Sequence, residues 1–333
     1  MSEYDHITFE EREHIALFHA EGMGLRRIGR EIGRSTSTIS RELKRNSNKD
    51  GSYRPASAEG RYLFRRQRER ILDQDKASAL FVRERLYEGW SPESISGWLR
   101  NGNEELPYVS PETIYDWVFS LKEEKLYRYL PSKKSSKRGR RKRRKTRSMI
   151  AGRVSIHDRP EAVNNREEVG HWEGDLMICN RTRPVLVLKE RKSRYVIAAK
   201  LNGKTAAETA QAIINIFKRL SPDIRKSITF DNGGEFAKHK LVKDAFKMAT
   251  WFCDAYASWQ KGAVENANGR LRRDLPRKMD IDKVSEEEFQ DIILSHNLTP
   301  RKCLNFITPA QALLKELGTD VTLSFRSTVA LRS

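Results

Sequence analysis

The apolar positions of this chain change period midway along its length. Up to about residue 130 they recur at helical spacing, in short runs broken by turn residues. From about residue 150 to about 315, short β-type runs alternate with amphipathic helices. Between the two patterns lies Lys133 to Arg147, where eleven of fifteen positions are Lys or Arg and none is apolar. Like charges at that density repel, so this stretch is expected to be an extended linker. It would add sequence-independent, salt-sensitive attraction to DNA, with Arg140, Arg141, Lys142, Arg143 and Arg144 as contacts, or serve as a solvated tether. The expected organisation is a first helical unit at 1–50, a second at 51–130, the basic linker at 131–150, an α/β domain at 151–320 and a tail at 321–333.

The first unit reads as a helix-turn-helix. One helix starts after Thr8, a natural N-cap, with Ile15, Leu17 and Phe18 as its apolar positions, and Gly22-Met23-Gly24 ends it. Leu25 to Ile32 makes a short second helix, Gly33 permits a turn with positive φ, and Ser35 or Thr36 caps a third. Gly29 allows close approach, and Ile39 and Leu43 point inward. Arg34, Ser35, Ser37, Thr38, Arg41, Lys44 and Arg45 are then the residues that can meet phosphates and base edges in a major groove. An ordinary helical hairpin with a solvated basic face is the competing reading.

The second unit contains an internal echo. Ser91-Pro92-Glu93-Ser94-Ile95-Ser96-Gly97-Trp98 is matched by Ser110-Pro111-Glu112-Thr113-Ile114-Tyr115-Asp116-Trp117. Each copy has a serine cap, proline at the first helical position and glutamate beside the positive helix end. Isoleucine and tryptophan three apart share a helical face and are expected in the core. A variant helix-turn-helix with Thr113, Tyr115 and Lys122 as DNA contacts fits this pattern, and so does a simple packing bundle.

Composition narrows the partner. The formal net charge is +19 over 333 residues, which favours nucleic acid or an anionic membrane surface. No apolar run approaches the roughly 20 residues that would span a bilayer, and no secretory core opens the chain, so a cytoplasmic location is expected. Cys179, Cys253 and Cys303 are odd in number and widely spaced, without metal-ligand spacing, and are read as reduced thiols.

In the α/β half, Trp172 to Ile178, Pro184 to Lys189 and Arg194 to Ala199 read as three strands. Thr205 caps a helix, Ser227 to Phe230 and Thr250 to Cys253 form two more strands, and a helix follows from Gln260 or Gly262. Three strands, helix, strand, helix, strand, helix is the order of an RNase H-like α/β fold. It places Asp175 mid-strand, Asp231 at the end of the neighbouring strand and Glu265 on a helix crossing both. Thirty-three residues separate Asp231 from Glu265, room for a helix, a strand and a turn. Carboxylates so gathered repel unless a cation neutralises them, and they can hold two divalent ions about 3.5–4 Å apart for in-line phosphodiester chemistry. An all-oxygen site suits Mg2+ or Mn2+. Glu173 lies two residues from Asp175 on the same strand face, so spacing alone does not exclude it as a ligand. On the helix, Gln260, Lys261, Asn268 and Arg270 are the expected phosphate-facing residues, with Asn266, Arg272 and Arg273 beside them.

Several motifs together carry a resemblance. Gly170-His171-Trp172-Glu173-Gly174-Asp175, Glu190-Arg191-Lys192-Ser193-Arg194-Tyr195 and Asp231-Asn232-Gly233-Gly234-Glu235-Phe236 are followed by Trp259-Gln260-Lys261-Gly262-Ala263-Val264-Glu265-Asn266 and by Pro300 to Pro309. With Ile32 to Leu43 they make the chain similar to DDE transposases, specifically those of the insertion sequence thirty family, over roughly residues 5–315. The resemblance implies an enzyme that recognises terminal inverted repeats in double-stranded DNA, cuts the 3′ ends and joins them to target DNA without a covalent enzyme intermediate. It assigns the catalytic and metal-binding triad to Asp175, Asp231 and Glu265, with two Mg2+ or Mn2+ ions when DNA is bound. Pairing two element ends implies a homodimer or larger assembly. Asn180 departs from the glycine expected after the first strand, and the tail beyond about Gly318 carries no placed motif. The competing function is a DNA-binding regulator whose RNase H-like half is silent. A retroviral-type integrase would bring a His-His-Cys-Cys zinc unit that this chain lacks.

Overall fold

The computed structural model describes residues 5–66, 70–131, 150–179, 183–255 and 257–319, with 321 and 323. The basic linker, Asn180 and most of the tail therefore lie outside the described residues. The chain divides into two compact units, one ending at Gln74 and one beginning at Asp75.

The first unit is built of α1 (Phe9–Ala20), α2 (Leu25–Ile32), α3 (Thr36–Asn46), α4 (Pro55–Arg66) and the short α5 (Ile71–Gln74). Thr8 caps α1 in a reciprocal capping box with Glu11, and Ser35 caps α3 by accepting from the Thr38 amide. Gly33 ends α2 at φ 73°, a left-handed conformation that glycine adopts without strain. Ile15, Ile28, Ile39, Leu43, Tyr53 and Ala58 form the core. Leu17, expected inward, is 56% exposed, because the buried stripe of α1 runs through Arg12 and Ile15 instead.

That buried Arg12 explains why this unit extends past residue 50. Its guanidinium donates to Glu42 on α3 (2.9 Å), to Glu59 on α4 (2.6 Å) and to the Ile7 carbonyl (2.7 Å). Tyr53 donates to the same Glu42, and Arg61 on α4 closes the C-terminal end of α3 through the Asn46 and Ser47 carbonyls. The fourth helix is thus tied to the first and third by charged hydrogen bonds that the apolar pattern does not register.

The second unit opens with α6 (Lys76–Tyr87), α7 (Pro92–Arg100) and α8 (Pro111–Ser120). Ser91 and Ser110 are N-caps followed by proline, and Ile95, Trp98, Ile114 and Trp117 are all buried, as the echo predicts. These helices do not stand apart from the α/β layers. Ser94 Oγ donates to the Pro300 carbonyl (3.1 Å) and Asn101 to the Asn305 carbonyl (2.7 Å). The Phe306 ring lies so close to Gly97 that a Cβ there would sit 2.1 Å from it. The expected boundary near residue 130 therefore does not separate two packed bodies.

Six strands follow: β1 (Val154–Ser155), β2 (His171–Cys179), β3 (Arg183–Glu190), β4 (Val196–Lys200), β5 (Ser227–Phe230) and β6 (Ala249–Phe252). Among them lie α9 (Glu161–Asn165), α10 (Ala206–Lys218) and α11 (His239–Phe246), and after them α12 (Gly262–Leu271), α13 (Glu286–Leu298) and α14 (Pro309–Glu316). The sheet order is β1-β6-β5-β2-β3-β4, with β3 antiparallel to both its neighbours and the other pairings parallel. This is the α/β, integrase-type arrangement expected from the element order, and β1 is an edge strand too short to be seen in the apolar pattern. One face packs α10 and α11 on Trp172, Leu186, Leu188, Ile228 and Phe230. The other packs α12 and α13 on Met177, Val185, Val187 and Val196.

A methyl group added at Gly29 would meet the Arg34 carbonyl oxygen at 2.7 Å, where backbone must move to receive it. Gly29→Ala is expected to destabilise the first unit by about 1–3 kcal/mol in denaturant unfolding, the usual cost of overpacking.

Candidate active site

The sheet register brings two of the three candidate acids together. Glu173 on β2 is opposite Thr229 on β5 in the parallel ladder. Two residues further along each segment come Asp175 and Asp231. Alternation along a strand keeps 173 and 175 on one face, the face on which α12 packs. Asp231 is the first residue past β5, and its Oδ1 accepts from the Gly233 amide (3.0 Å), which turns the chain away. The neighbouring Asn232 holds the Cys253 carbonyl (2.7 Å), fixing this loop to the end of β6.

Between the two aspartates sits an ammonium group. Lys261, the residue before α12, places Nζ 3.0 Å from Asp175 Oδ1 and 3.1 Å from Asp231 Oδ2, with the Gly174 carbonyl at 3.2 Å. The lysine side chain is 3% exposed, against 23% for Asp175 and 44% for Asp231. Burial pushes the Asp175 carboxyl above its ordinary value, and Lys261 only partly opposes that. Burial works against the charged lysine too, but both carboxylates outweigh it and its pKa rises. The site is therefore held as an acid–cation–acid cluster.

Lys261, Glu265 and Asn268 occupy one stripe of the α12 region at spacings of four and three. Asn268 Nδ2 donates to Asp175 Oδ2 (2.6 Å), while its Oδ1 is buried and finds no partner among the described residues. Glu265 shares the stripe but is exposed. Among the described residues no three Asp, Glu, His or Cys side chains converge closely enough to hold a metal. The structure thus brings Asp175 and Asp231 together and leaves Glu265 outside that cluster. Lys261, read from sequence as facing phosphate, is turned inward by the two carboxylates. Gln260 is engaged with Asp254, donating to its carboxylate (2.8 Å) and accepting from its amide (2.7 Å).

Glu173 is resolved by its partners. It is 1% exposed, paired with Arg191, and accepts from the Val264 amide (3.0 Å) near the start of α12. Spacing left this glutamate open as a metal ligand; its bonds make it a support that docks α12 onto the sheet. Residues that close such a pair from a distant loop leave no periodic signal, although Arg191 stands in one of the quoted motifs.

On the helical DNA-reading candidates, the structure is uneven. Ser35, Ser37, Arg41, Lys44 and Arg45 are exposed along α3, and Thr38 is half-buried. Arg34 is held by Glu11 (2.7 Å) and by the Asp5 and His6 carbonyls, so it braces α1 against the turn. In the second unit Tyr115 donates to Glu93 (3.1 Å), Thr113 is engaged with Ser110 (3.1 Å), and Lys122 is exposed. Arg270 is exposed and, among the described residues, its side chain donates a long bond to Asn266 (3.3 Å). Arg140, Arg141, Lys142, Arg143 and Arg144 lie outside the described residues.

Removing Arg191 would leave Glu173 buried and uncompensated. Arg191→Ala is expected to cost about 3–5 kcal/mol in chemical unfolding, while Arg191→Lys recovers part of it.

Residues 3–46 match a helix-turn-helix domain family, covering α1 to α3. Over 329 residues the chain is 35% identical to the transposase for insertion sequence element IS30A of Escherichia coli (strain K12), covering 95% of this chain and 85% of that protein. It is 36% identical over 327 residues to the transposase for element IS1086 of Cupriavidus metallidurans, covering 95% and 96%. With the transposase for element IS4351 of Bacteroides fragilis it shares 34% identity over 330 residues, covering 97% and 99%. Identity at that level, sustained through both the helix-turn-helix and the α/β layers, shows that the chain belongs to the IS30 family of DNA-binding transposases.

Proposed function

We propose that this transposase binds the terminal inverted repeats of its element and cuts and rejoins their 3′ strands at Asp175, Asp231 and Glu265, using divalent metal. The observation that carries the reading is the pair of aspartates, one on β2 and one just past the parallel β5, turned toward a single cationic point that Lys261 fills. The donor set suits Mg2+ or Mn2+: hard carboxylate oxygens, one raised in pKa by burial, and the orphaned Asn268 Oδ1 beside them. Asp175 and Asp231 would hold the metal, with Glu265 completing the site from α12 when DNA is bound. Bound there as a pair, the ions supply Lewis acidity to the phosphate and lower the pKa of an attacking water.

The chain's own residues set the rest. Gly233 and Asn232 hold the Asp231 loop, Asn268 orients Asp175, and Glu173 with Arg191 fixes the start of α12. These contacts pre-orient the carboxylates before substrate arrives, which lowers the cost of assembling a charged site. The exposed polar stripe of α3 would read the inverted repeat in the major groove. Two protomers would be needed to pair two ends. No helix among the described residues is long and apolar enough to cross a membrane.

The test is cleavage and joining of DNA carrying the element's ends, with Mg2+, with EDTA, and with Asp231→Asn. Metal-dependent 3′ nicking and joining is expected, lost in the variant with DNA binding retained. Binding to verified ends with no metal-dependent cleavage, even in Mn2+, would instead indicate a regulator.

Lys261→Met removes the resident cation. Its melting temperature in EDTA is expected to fall, by about 1–3 kcal/mol in stability, since Asp175 is left buried without its partner. Added Mn2+ should restore more stability to this variant than it adds to the native chain. A variant that metal does not rescue would mean that the lysine serves packing alone.

A further inference from the structure

The motif from Pro300 to Pro309 is not used by the two aspartates. It forms a tight loop in which the Phe306 amide returns to the Arg301 carbonyl (2.9 Å) and the Arg301 amide to that of Ile307 (3.1 Å). Asn305 and Phe306 take left-handed backbone at φ 53° and 61°. The outcome is that Arg301 points inward: it is 7% exposed, and its side chain donates to the His296 carbonyl at the end of α13 (2.7 Å).

Arg301 enters a cavity of about 390 Å³ lined also by Arg166, Lys189, Arg194, Arg270 and Lys302. Among the described residues no carboxylate lines it. Among the described residues, none of these six cations is within ion-pair distance of an acid. The nearest candidate, Glu173, lies opposite Lys189 in the β2–β3 ladder, but Arg191 and the Val264 amide have taken it. Among the described residues Lys189 has only the Ala263 carbonyl (3.0 Å), and Arg194 Nε is buried without a hydrogen-bond partner. The cost of this crowding is visible in the charges. Burial, then Arg301 and Arg194, push Lys189 down to about 7, and burial with Arg270 pushes Arg301 down to about 9. A larger cavity nearby, about 630 Å³, shares Arg270 and Arg301 but has Glu88, Asp274 and Asp291 among its lining, so its positive charge is offset locally.

Buried cations without counter-charges are expensive unless a partner arrives. Guanidinium forks match a phosphodiester, whose oxygens accept two parallel bonds. The position suits the same conclusion. Val187 is opposite Asp175 and Lys189 is opposite Glu173, so the cavity floor lies two residues, roughly 7 Å, along the sheet from the candidate catalytic aspartate. Gly262, Ala263 and Asn266 of α12 form its wall, while Lys261 and Asn268 of the same region reach Asp175.

We propose that this cavity is a phosphate-binding site that seats the DNA backbone next to the scissile position, with Arg194, Arg301 and Lys189 as its inner contacts and Arg166, Arg270 and Lys302 at its rim. The proposal rests on the transposase reading and adds to it a defined strand-holding site. It also gives a role to the Pro300 to Pro309 loop, whose turn directs Arg301 inward.

The experiment uses the full chain with fluorescent duplex DNA carrying the element's ends, its affinity measured across a salt series. The site variant is Arg194→Gln with Lys302→Gln, since neither side chain makes a hydrogen bond among the described residues. The control is Lys218→Gln with Lys243→Gln, the same charge change on α10 and α11 across the sheet. Removing one phosphate-bound cation should lower the slope of log affinity against log salt by about 0.9, so the site pair should lose roughly 1.8 and the control nothing. The melting temperature of the site variant should hold or rise, because like charges have been removed. Equal slopes in both pairs, or a fall in melting temperature of the site variant, would overturn the proposal. Inorganic phosphate is the second probe: stabilisation of the native chain by phosphate, with unchanged DNA slopes, would make this a free-phosphate site and also overturn it. If the native chain shows no affinity for the ends at all, the failure lies in the DNA reading itself, and the proposal falls with it.

Discussion

A carboxylate on β2 and one just past the parallel β5 repel in a half-buried site unless a positive charge or a shared proton lies between them, and that constraint organises the sheet face under α12. Lys261 meets it from the residue before α12, so the segment that opens this helix also neutralises the two aspartates. The position of α12 follows from the same charges. Glu173 receives the Val264 amide, Asn268 reaches Asp175, and Ala263, Val264, Ala267 and Leu271 seal the apolar face beneath. Electrostatics and packing here point the same way, which is the condition for a pre-ordered site.

The strong net positive charge of the chain is not spread as a uniform coat. Buried acids are consumed by particular arginines: Glu42 by Arg12, Glu173 by Arg191. In the cavity lined by Lys189, Arg194 and Arg301 the balance reverses, and among the described residues no acid lines it. The molecule thus separates structural ion pairs from a cluster of cations on the sheet face that carries Asp175.

The helical half is divided by the same kind of contact. Helix α4 joins the first unit because Arg12 and Arg61 reach between it and its neighbours, although its own apolar pattern is weak. Helix α7, whose serine cap, proline and tryptophan mark it as an independent helix, is fastened to the Pro300 to Pro309 loop by Ser94, Asn101 and the face of Gly97. Long-range hydrogen bonds of this type have no period, and domain limits drawn from composition miss them.

Features caused by neighbours a few residues away were legible in the chain before any coordinates. The capping residues Thr8, Ser35, Ser91, Ser110 and Thr205, the left-handed turn at Gly33 and the strands around Asp175 and Asp231 are all local in cause, and all stand where the pattern puts them. The order of strands and helices was enough for the α/β architecture, because right-handed crossovers leave few ways to close such a sheet. Folding in three dimensions settled the rest: that Lys261 turns inward rather than toward solvent, that Glu173 is a support, that Arg34 is spent on Glu11, and that Lys189, Arg194 and Arg301 share one cavity. Each of these depends on partners distant in the chain or on which acid is already taken. A charge interacts with whatever the fold places beside it, and sequence distance carries no information about that.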